Sequence, residues 1–245
     1  MSDHLLAAGL AEAAGRLLLD LRELAEDVTP GWLRAEGDRR SHEFLVGRLE
    51  RLRRADAVLS EEGALSRRRL RAERVWIVDP LDGTREFAEP GRSDWAVHVA
   101  LWAHGRLVAG AVCAPALDGT VTTAAPPRLA PLAQRPPRIV VSRSRAPELA
   151  TAVGGRLGAE LVPMGSAGAK VLAVLRGDAE VYLHAGGQYE WDSAAPVAVA
   201  RAAGLHASRV DGSPLEYNQA DPWLPDVLVC RQELAESVLD AVATV

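Results

Sequence analysis

Four apolar residues, Val75-Trp76-Ile77-Val78, lead without a break into Asp79-Pro80-Leu81-Asp82-Gly83-Thr84. An uninterrupted apolar run of that length is the mark of a buried strand. This one ends in two carboxylates three positions apart. Unpaired buried anions are strongly unfavourable, so any fold that accepts the segment must bring positive charge to the end of the strand. Mg²⁺ suits hard oxygen ligands of this kind. Pro80 stiffens the turn and removes a backbone donor that would crowd the ligands. The carbonyl of Leu81 then faces the same side as a further hard oxygen. Gly83-Thr84 opens the next segment, whose free N–H groups suit a phosphate. Asp-Pro and Asp-Gly are ordinary turn dipeptides when taken singly, but the six-residue run after a buried strand reads as a metal site.

The rest of the chain bounds that reading. Its 245 residues allow one large or two small domains. With 48% apolar and 25% charged residues it is neither disordered, collagenous nor a coiled coil. A chain this long needs no metal staple to fold, so a metal here is catalytic rather than structural. The net charge of −5, from 28 basic and 33 acidic residues, argues against a nucleic-acid polymer or a membrane surface as partner and leaves room for a local phosphate site. Cys113 and Cys230 lie far apart in apolar stretches, which predicts buried thiols rather than a zinc or disulfide framework. No signal-peptide pattern and no apolar run near ~20 residues is present, so a cytoplasmic protein is expected.

Apolar spacing predicts a helix over residues 3–25 that Thr29-Pro30-Gly31 ends, a polar, Gly-punctuated loop over 31–40, and a second helix over 42–54. Strands are expected at 57–60, 75–78, 93–102, 107–113 and 121–123, with turns at His104-Gly105 and Asp118-Gly119 and a solvated charged connector at 67–74. From Pro126 to Pro137, five of twelve residues are proline, the best candidate for a boundary near residue 130. Beyond it come strand 139–142, helix 147–157, strand 160–163, helix 167–175, strand 179–183, helix 193–203, short strands to Cys230 and a last helix from Gln232. The part over 1–130 reads as α+β and the part over 131–245 as α/β.

Two more acidic positions fit the first cluster. Glu61 ends a short strand 18 residues before Asp79, close enough in sequence for the connection to return it beside that residue. Asp192, in Glu190-Trp191-Asp192-Ser193-Ala194-Ala195-Pro196, lies at the start of a helix, where an aspartate also serves simply to accept first-turn N–H groups. The six histidines, His4, His42, His98, His104, His184 and His206, are scattered and read as structural or exposed; only His184, near the expected substrate wall, is singled out.

The Asp79–Thr84 run resembles the metal-binding signature of the lithium-sensitive, Mg²⁺-dependent phosphatases of the inositol monophosphatase superfamily. Glu61-Glu62 resembles that family's upstream glutamate pair, Trp191-Asp192-Ser193-Ala194-Ala195 its tryptophan–aspartate motif, and Gly165-Ser166-Ala167-Gly168-Ala169-Lys170 its glycine–serine substrate motif. The resemblance covers about residues 30 to 230. It implies a layered αβαβα sandwich with the site between residues 1–130, which hold most ligands, and 131–245, which supply Asp192 and the substrate wall. It implies that Glu61, Asp79, Asp82, Asp192 and the Leu81 carbonyl hold two or three Mg²⁺. It implies that Gly83 and Thr84 touch the phosphate, with Ser166, Lys170 and the metal-holding Glu61, Asp82 and Asp192 also facing substrate. Asp38, in the expected loop before the second helix, matches the aspartate that pairs with the threonine hydroxyl; Asp38 and Thr84 would orient or deprotonate the attacking water. Read without the family, Asp38 is a plain loop carboxylate.

The mechanism this implies follows from charge. A phosphate monoester dianion repels a hydroxide nucleophile, and metal ions lower the pKa of water, bridge phosphate oxygens and stabilise the leaving oxygen. Within the superfamily the chain most resembles the bacterial, sulfate-assimilation branch that hydrolyses 3′-phosphoadenosine 5′-phosphate to AMP. The glycine–serine motif, Tyr182-Leu183-His184-Ala185 before Trp191-Asp192, and Asp211-Gly212-Ser213-Pro214-Leu215 followed by Tyr217 carry that likeness. Lys170 is the only lysine beside 27 arginines, and reads either as a cation for the substrate's second phosphate or as a solvated helix lysine. Ala185 stands where many inositol phosphatases carry a hydroxyl-gripping glutamate, seven residues before Asp192, which suggests a roomier pocket. Inositol 1-phosphate and fructose 1,6-bisphosphate are the alternative substrates, a catalytically silent phosphate-binding protein the alternative of another class, and a homodimer the assembly the resemblance suggests. Asp82 is expected to be strained chiefly by repulsion from Asp79, so that neutralising it would favour the metal-free fold.

Overall fold

In the computed structural model, which describes residues 1–25, 28–117, 119–144 and 147–245, the strands pair into two five-stranded sheets with helices before, between and behind them. The chain opens with helices α1 (Asp3–Glu23) and α2 (Pro30–Leu52). The first sheet follows: β1 (Ala57–Ser60), β2 (Arg74–Asp82), β3 (Ala96–Ala103), β4 (Arg106–Ala114) and β5 (Gly119–Thr122), paired in that order, with the short helix α3 (Thr84–Ala88) after β2. The second half supplies β6 (Arg138–Ser142), α4 (Glu148–Leu157), β7 (Glu160–Met164), α5 (Ala167–Arg176), β8 (Val181–Tyr189), α6 (Glu190–Ala202), β9 (His206–Ser208), β10 (Trp223–Cys230) and α7 (Ala235–Ala243). The second sheet runs β7-β6-β8-β10-β9; its first three strands are parallel, and β10 and β9 add antiparallel.

Strand alternation builds the layers. Along β2 and β3, Trp76, Val78, Val97, Val99 and Leu101 face α1 and α2, where they meet Leu10, Leu18, Leu45 and Leu49. Val75, Ile77, Ala96 and Ala100 face the other way, onto α5 and α6, and share one core with Val140, Tyr182, Val227 and Val229 of the second sheet. The opposite face of that sheet, Ile139, Val141, Leu183 and Leu228, buries α4 and α7. The result is the αβαβα sandwich. Among the described residues no helix is long and apolar enough to cross a membrane. Cys113 and Cys230 are buried free thiols.

Several sequence expectations are corrected. Residues 31–40 are helical, not a loop, and Thr29-Pro30-Gly31 starts α2 rather than ending α1: the Thr29 hydroxyl accepts the Trp32 N–H at 3.2 Å and Pro30 occupies the first turn. Leu33, Gly37, Ser41, Leu45 and Leu49 form the buried stripe of α2. Gly37, which punctuates the sequence, is a contact residue, because a Cβ there would lie 2.8 Å from the Phe87 ring and 2.9 Å from Leu81. Asp38 therefore projects from a helix. The connector at 67–74 is not all solvated: Arg67–Arg71 forms a 3₁₀ turn in which Arg69 is buried, donating to Asn218 Oδ1 at 2.7 Å and to the Gln219 carbonyl at 2.6 Å. β8 runs on to Tyr189 through Gly186 and Gly187, both at positive φ; the Trp223 ring lies over Gly187, where a Cβ would come within 2.7 Å. Helix α6 starts at Glu190, three residues earlier than its apolar pattern suggests. Thr123 lies outside β5, and its hydroxyl instead accepts the Gly110 N–H at 3.0 Å. Asp118, half of an expected turn, lies outside the described residues.

Candidate metal centre

The site forms where β2 stops being a regular strand. Asp79 pairs opposite His98 of β3, and the ladder then shifts register between Asp79 and Asp82. Such a bulge re-aims side chains; here it turns the second carboxylate inward beside the first. Asp79 Oδ1 accepts the Leu81 N–H at 3.0 Å, and Ser41 of α2 donates to the Pro80 carbonyl at 2.7 Å, so the turn is held from both sides. Gly83 follows at φ +85°, a conformation suited to glycine, and any Cβ would press on the Asp94 carbonyl at 3.0 Å and on Ser166 at 3.2 Å.

Asp192 reaches this place from the other half of the chain. It sits in the first turn of α6, where one oxygen accepts the Tyr189 N–H at 2.6 Å. Capping and site membership thus coexist in one carboxylate. Asp79, Asp82 and Asp192 each offer an oxygen within 4.8 Å of the others. Glu61, in the turn after β1, stands beside Asp79 and each carboxyl shifts the other's acidity. Thr84 Oγ1 lies 3.1 Å from the Leu81 carbonyl and 3.4 Å from Asp38 Oδ1. A set of carboxylate and carbonyl oxygens fits a hard divalent cation.

The electrostatics differ from residue to residue. Burial raises Asp79 well above the ordinary carboxylate range, with Glu61, Asp82 and Asp192 adding repulsion. Loss of water and the nearby Asp192 raise Glu61 to about 7. Burial and Asp82 raise Asp192 to about 6, and burial and Glu62 raise Asp38 to about 6. Asp82 goes the other way: burial pushes it up, but His98, Lys170 and Ser166 outweigh that and hold it at about 2. The repulsion between Asp79 and Asp82 is mutual; the groups around Asp82 outweigh it there, whereas at Asp79 burial and the other acids add to it. One oxygen of Asp82 takes the Ser166 hydroxyl and the Gly168 N–H, the latter at 2.7 Å, both from the start of α5.

Lys170 is 5% exposed, which overturns the solvated-helix alternative. Its Nζ lies 3.3 Å from the Gly165 carbonyl and 5.3 Å over the Tyr182 ring. Burial lowers its pKa while Asp82, Glu86 and Asp192 oppose the fall. His184 Nε2 donates to the Gly187 carbonyl of its own strand at 2.9 Å.

These motifs have counterparts in known proteins. The model of the inositol monophosphatase family matches residues 25–244. The chain belongs to the inositol monophosphatase family. Among its family relatives is the 3′-phosphoadenosine 5′-phosphate phosphatase of Mycobacterium leprae, 48% identical over all of this chain and 95% of that protein. The 3′(2′),5′-bisphosphate nucleotidase CysQ of Escherichia coli K12 is 33% identical over 62% of this chain and 65% of its own length. The crystal structure of CysQ from Bacteroides thetaiotaomicron superposes with a TM-score of 0.75 at 29% identity, covering 93% of this chain and 96% of that one. Inositol monophosphatase II from Staphylococcus aureus shares the fold, with a TM-score of 0.78 at 21% identity over 95% of this chain and 92% of the other.

Two features of this family member escaped the sequence reading. His98 reads as one scattered histidine among six, yet it is fully buried behind Asp82, with Nε2 3.1 Å from Asp82 Oδ2. Only the pairing of β2 with β3 brings it there, and no local pattern encodes that pairing. Arg69, hidden in an arginine run, ties the 3₁₀ turn to Asn218, whose N–H donates to Glu190 at 2.7 Å, two residues from Asp192.

Proposed function

We propose that this chain is a Mg²⁺-dependent phosphomonoesterase that hydrolyses 3′-phosphoadenosine 5′-phosphate to AMP and phosphate. The observation that carries the reading is the meeting of Asp79, Asp82 and Asp192 within 4.8 Å, in a chain whose M. leprae relative bears that activity in its name. Asp79, Asp82, Asp192, Glu61 and the Leu81 carbonyl would hold two or three ions. When bound, the metal supplies Lewis acidity and neutralises charge on the phosphoryl group.

The chain's own residues do the remaining work. Thr84 takes a proton from the attacking water and passes its own to Asp38, whose carboxyl, raised to about 6, is a base near neutral pH. The water oxygen bonds to phosphorus, the bond to the 3′ oxygen breaks, and that oxygen takes a proton from solvent water, while Asp38 returns the proton it received to solvent. Gly83 and Ser166 line the phosphate, and Lys170 is the cation assigned to the second phosphate. In this reading residues 1–130 hold most of the metal ligands and 131–245 the substrate wall, Li⁺ competes for a metal position and lowers the rate at saturating substrate, and two copies form a homodimer.

Phosphate release from 3′-phosphoadenosine 5′-phosphate, inositol 1-phosphate and fructose 1,6-bisphosphate, with Mg²⁺ and with EDTA, tests the assignment. Mg²⁺-dependent release with the highest kcat/KM on the nucleotide is expected. A higher kcat/KM on inositol 1-phosphate would replace the substrate, and no release from any of them would replace the enzyme with a binding protein.

A further inference from the structure

His98 has no place in the reaction scheme, yet it touches the supports of all three clustered aspartates. Its ring is fully buried. Nδ1 lies 3.2 Å from the carbonyl of Trp191, the residue before Asp192, and 3.9 Å from Asp79 Oδ2. Nε2 lies 3.1 Å from Asp82 Oδ2 but off the ring's N–H axis, and it has no aligned hydrogen-bond partner among the described residues. The same Asp82 oxygen already receives the Ser166 hydroxyl and the Gly168 N–H. Crowding these groups onto one oxygen leaves the other to face the site.

The neighbouring chain is cut to fit this ring. Gly168 has no left-handed backbone to explain it, but a Cβ there would stand 2.3 Å from His98 Nε2. A histidine that merely filled space would not need a bare glycine pressed against it from α5. The ring bridges β3, the bulge of β2 and the first turn of α6, which are the elements that deliver the carboxylates.

We propose that His98 is a positioning residue: a rigid spacer that sets the separation of Asp79, Asp82 and Asp192 for a small divalent cation. This rests on the reading of those three residues as a metal site. Groups that orient ligands in this way typically account for about 10–100-fold in metal affinity.

The test is Mn²⁺ binding without substrate, followed by electron paramagnetic resonance, with folding checked by the unfolding temperature in EDTA. Wild type, His98→Ala, His98→Gln and Gly168→Ala are compared. The expected result is Mn²⁺ binding weakened about 10–100-fold in His98→Ala, in part recovered in His98→Gln, whose amide keeps a polar group of similar reach. Gly168→Ala, which pushes on the ring, is expected to weaken binding as well, and adding His98→Ala to it to cost little more. Wild-type affinity in a folded His98→Ala protein would overturn the spacer role and leave the metal site standing. If His98→Ala does not fold, wild-type affinity in Gly168→Ala overturns it. Absence of Mn²⁺ binding by the wild type would overturn both readings.

Discussion

The two sides of the acidic pocket are built on opposite principles. Around Asp82 the fold brings two donors, the Ser166 hydroxyl and the Gly168 N–H, with the His98 ring and the Lys170 ammonium close by. Around Asp79 it brings further acids, Glu61 and Asp192, into a site with Asp79 only 1% exposed. One side is complete within the protein and the other is complete only with a proton or a cation. An acidic cluster is thus not uniformly strained, and the difference says where metal-binding energy is stored.

Conservative substitution breaks the comparison most sharply. Asp79→Asn and Asp82→Asn are both expected to lower kcat/KM by about 10³-fold or more, since each removes a ligand charge opposite the developing phosphoryl charge. Their metal-free forms should diverge. Asp79→Asn removes repulsion and raises the unfolding temperature in EDTA; Asp82→Asn takes away the carboxylate charge that the Ser166 hydroxyl and the Gly168 N–H serve and lowers it. Equal shifts in calorimetric scans would erase the distinction between the two sides.

Acid sharpens it next. Glu61 at about 7 and Asp192 at about 6 bind protons more tightly folded than unfolded. Their contribution to metal-free stability is full below about pH 4 and is lost as pH rises through 6 to 7. Asp82, held at about 2, contributes in the opposite sense, above its ordinary value, and that contribution is lost only as pH falls towards 2. Unfolding temperature in EDTA should therefore fall between pH 5 and 7.5, and the gain from added Mg²⁺ should be larger at 7.5. A flat profile with EDTA would contradict the proton-holding role of the Asp79 side.

How far this was legible in the sequence follows the same divide. Asp79 to Thr84 announced itself, because a buried strand ending in carboxylates is costly without a cation. Motifs point to Glu61 and Asp192, alternation and helical spacing give the α+β and α/β character of the two halves, and the layering comes with the family resemblance. What stayed hidden depends on long-range pairing. His98 faces Asp79 only through the β2–β3 register, and Gly37 looked like a helix breaker because its contact with Phe87 lies 50 residues away. Arg69 looked like any arginine in a basic run until its buried partner, Asn218, came from the far end of the chain.

Lys170 offers a smaller effect. Lys170→Met keeps length and burial while removing the charge. It is expected to raise KM for 3′-phosphoadenosine 5′-phosphate about tenfold or more, the loss of a charge-assisted contact of about 1.5–3 kcal/mol, with little change for inositol 1-phosphate. Equal losses on both substrates would make Lys170 a support for Asp82 rather than a contact for the second phosphate. Smaller still, Arg69→Ala should lower kcat a few-fold, by loosening the tie between the 3₁₀ turn and Asn218 beside Glu190, and steady-state kinetics at saturating Mg²⁺ would reveal it. An unchanged kcat would confine that tie to stability.

The most direct measurement is the number of protons released when Mn²⁺ binds, from calorimetry at pH 6.5 in two buffers of different ionisation enthalpy. If the Asp79 side holds protons until a cation arrives, the wild type releases one or more protons on binding, and Asp79→Asn releases fewer. Tight Mn²⁺ binding by the wild type with no proton release would contradict the account.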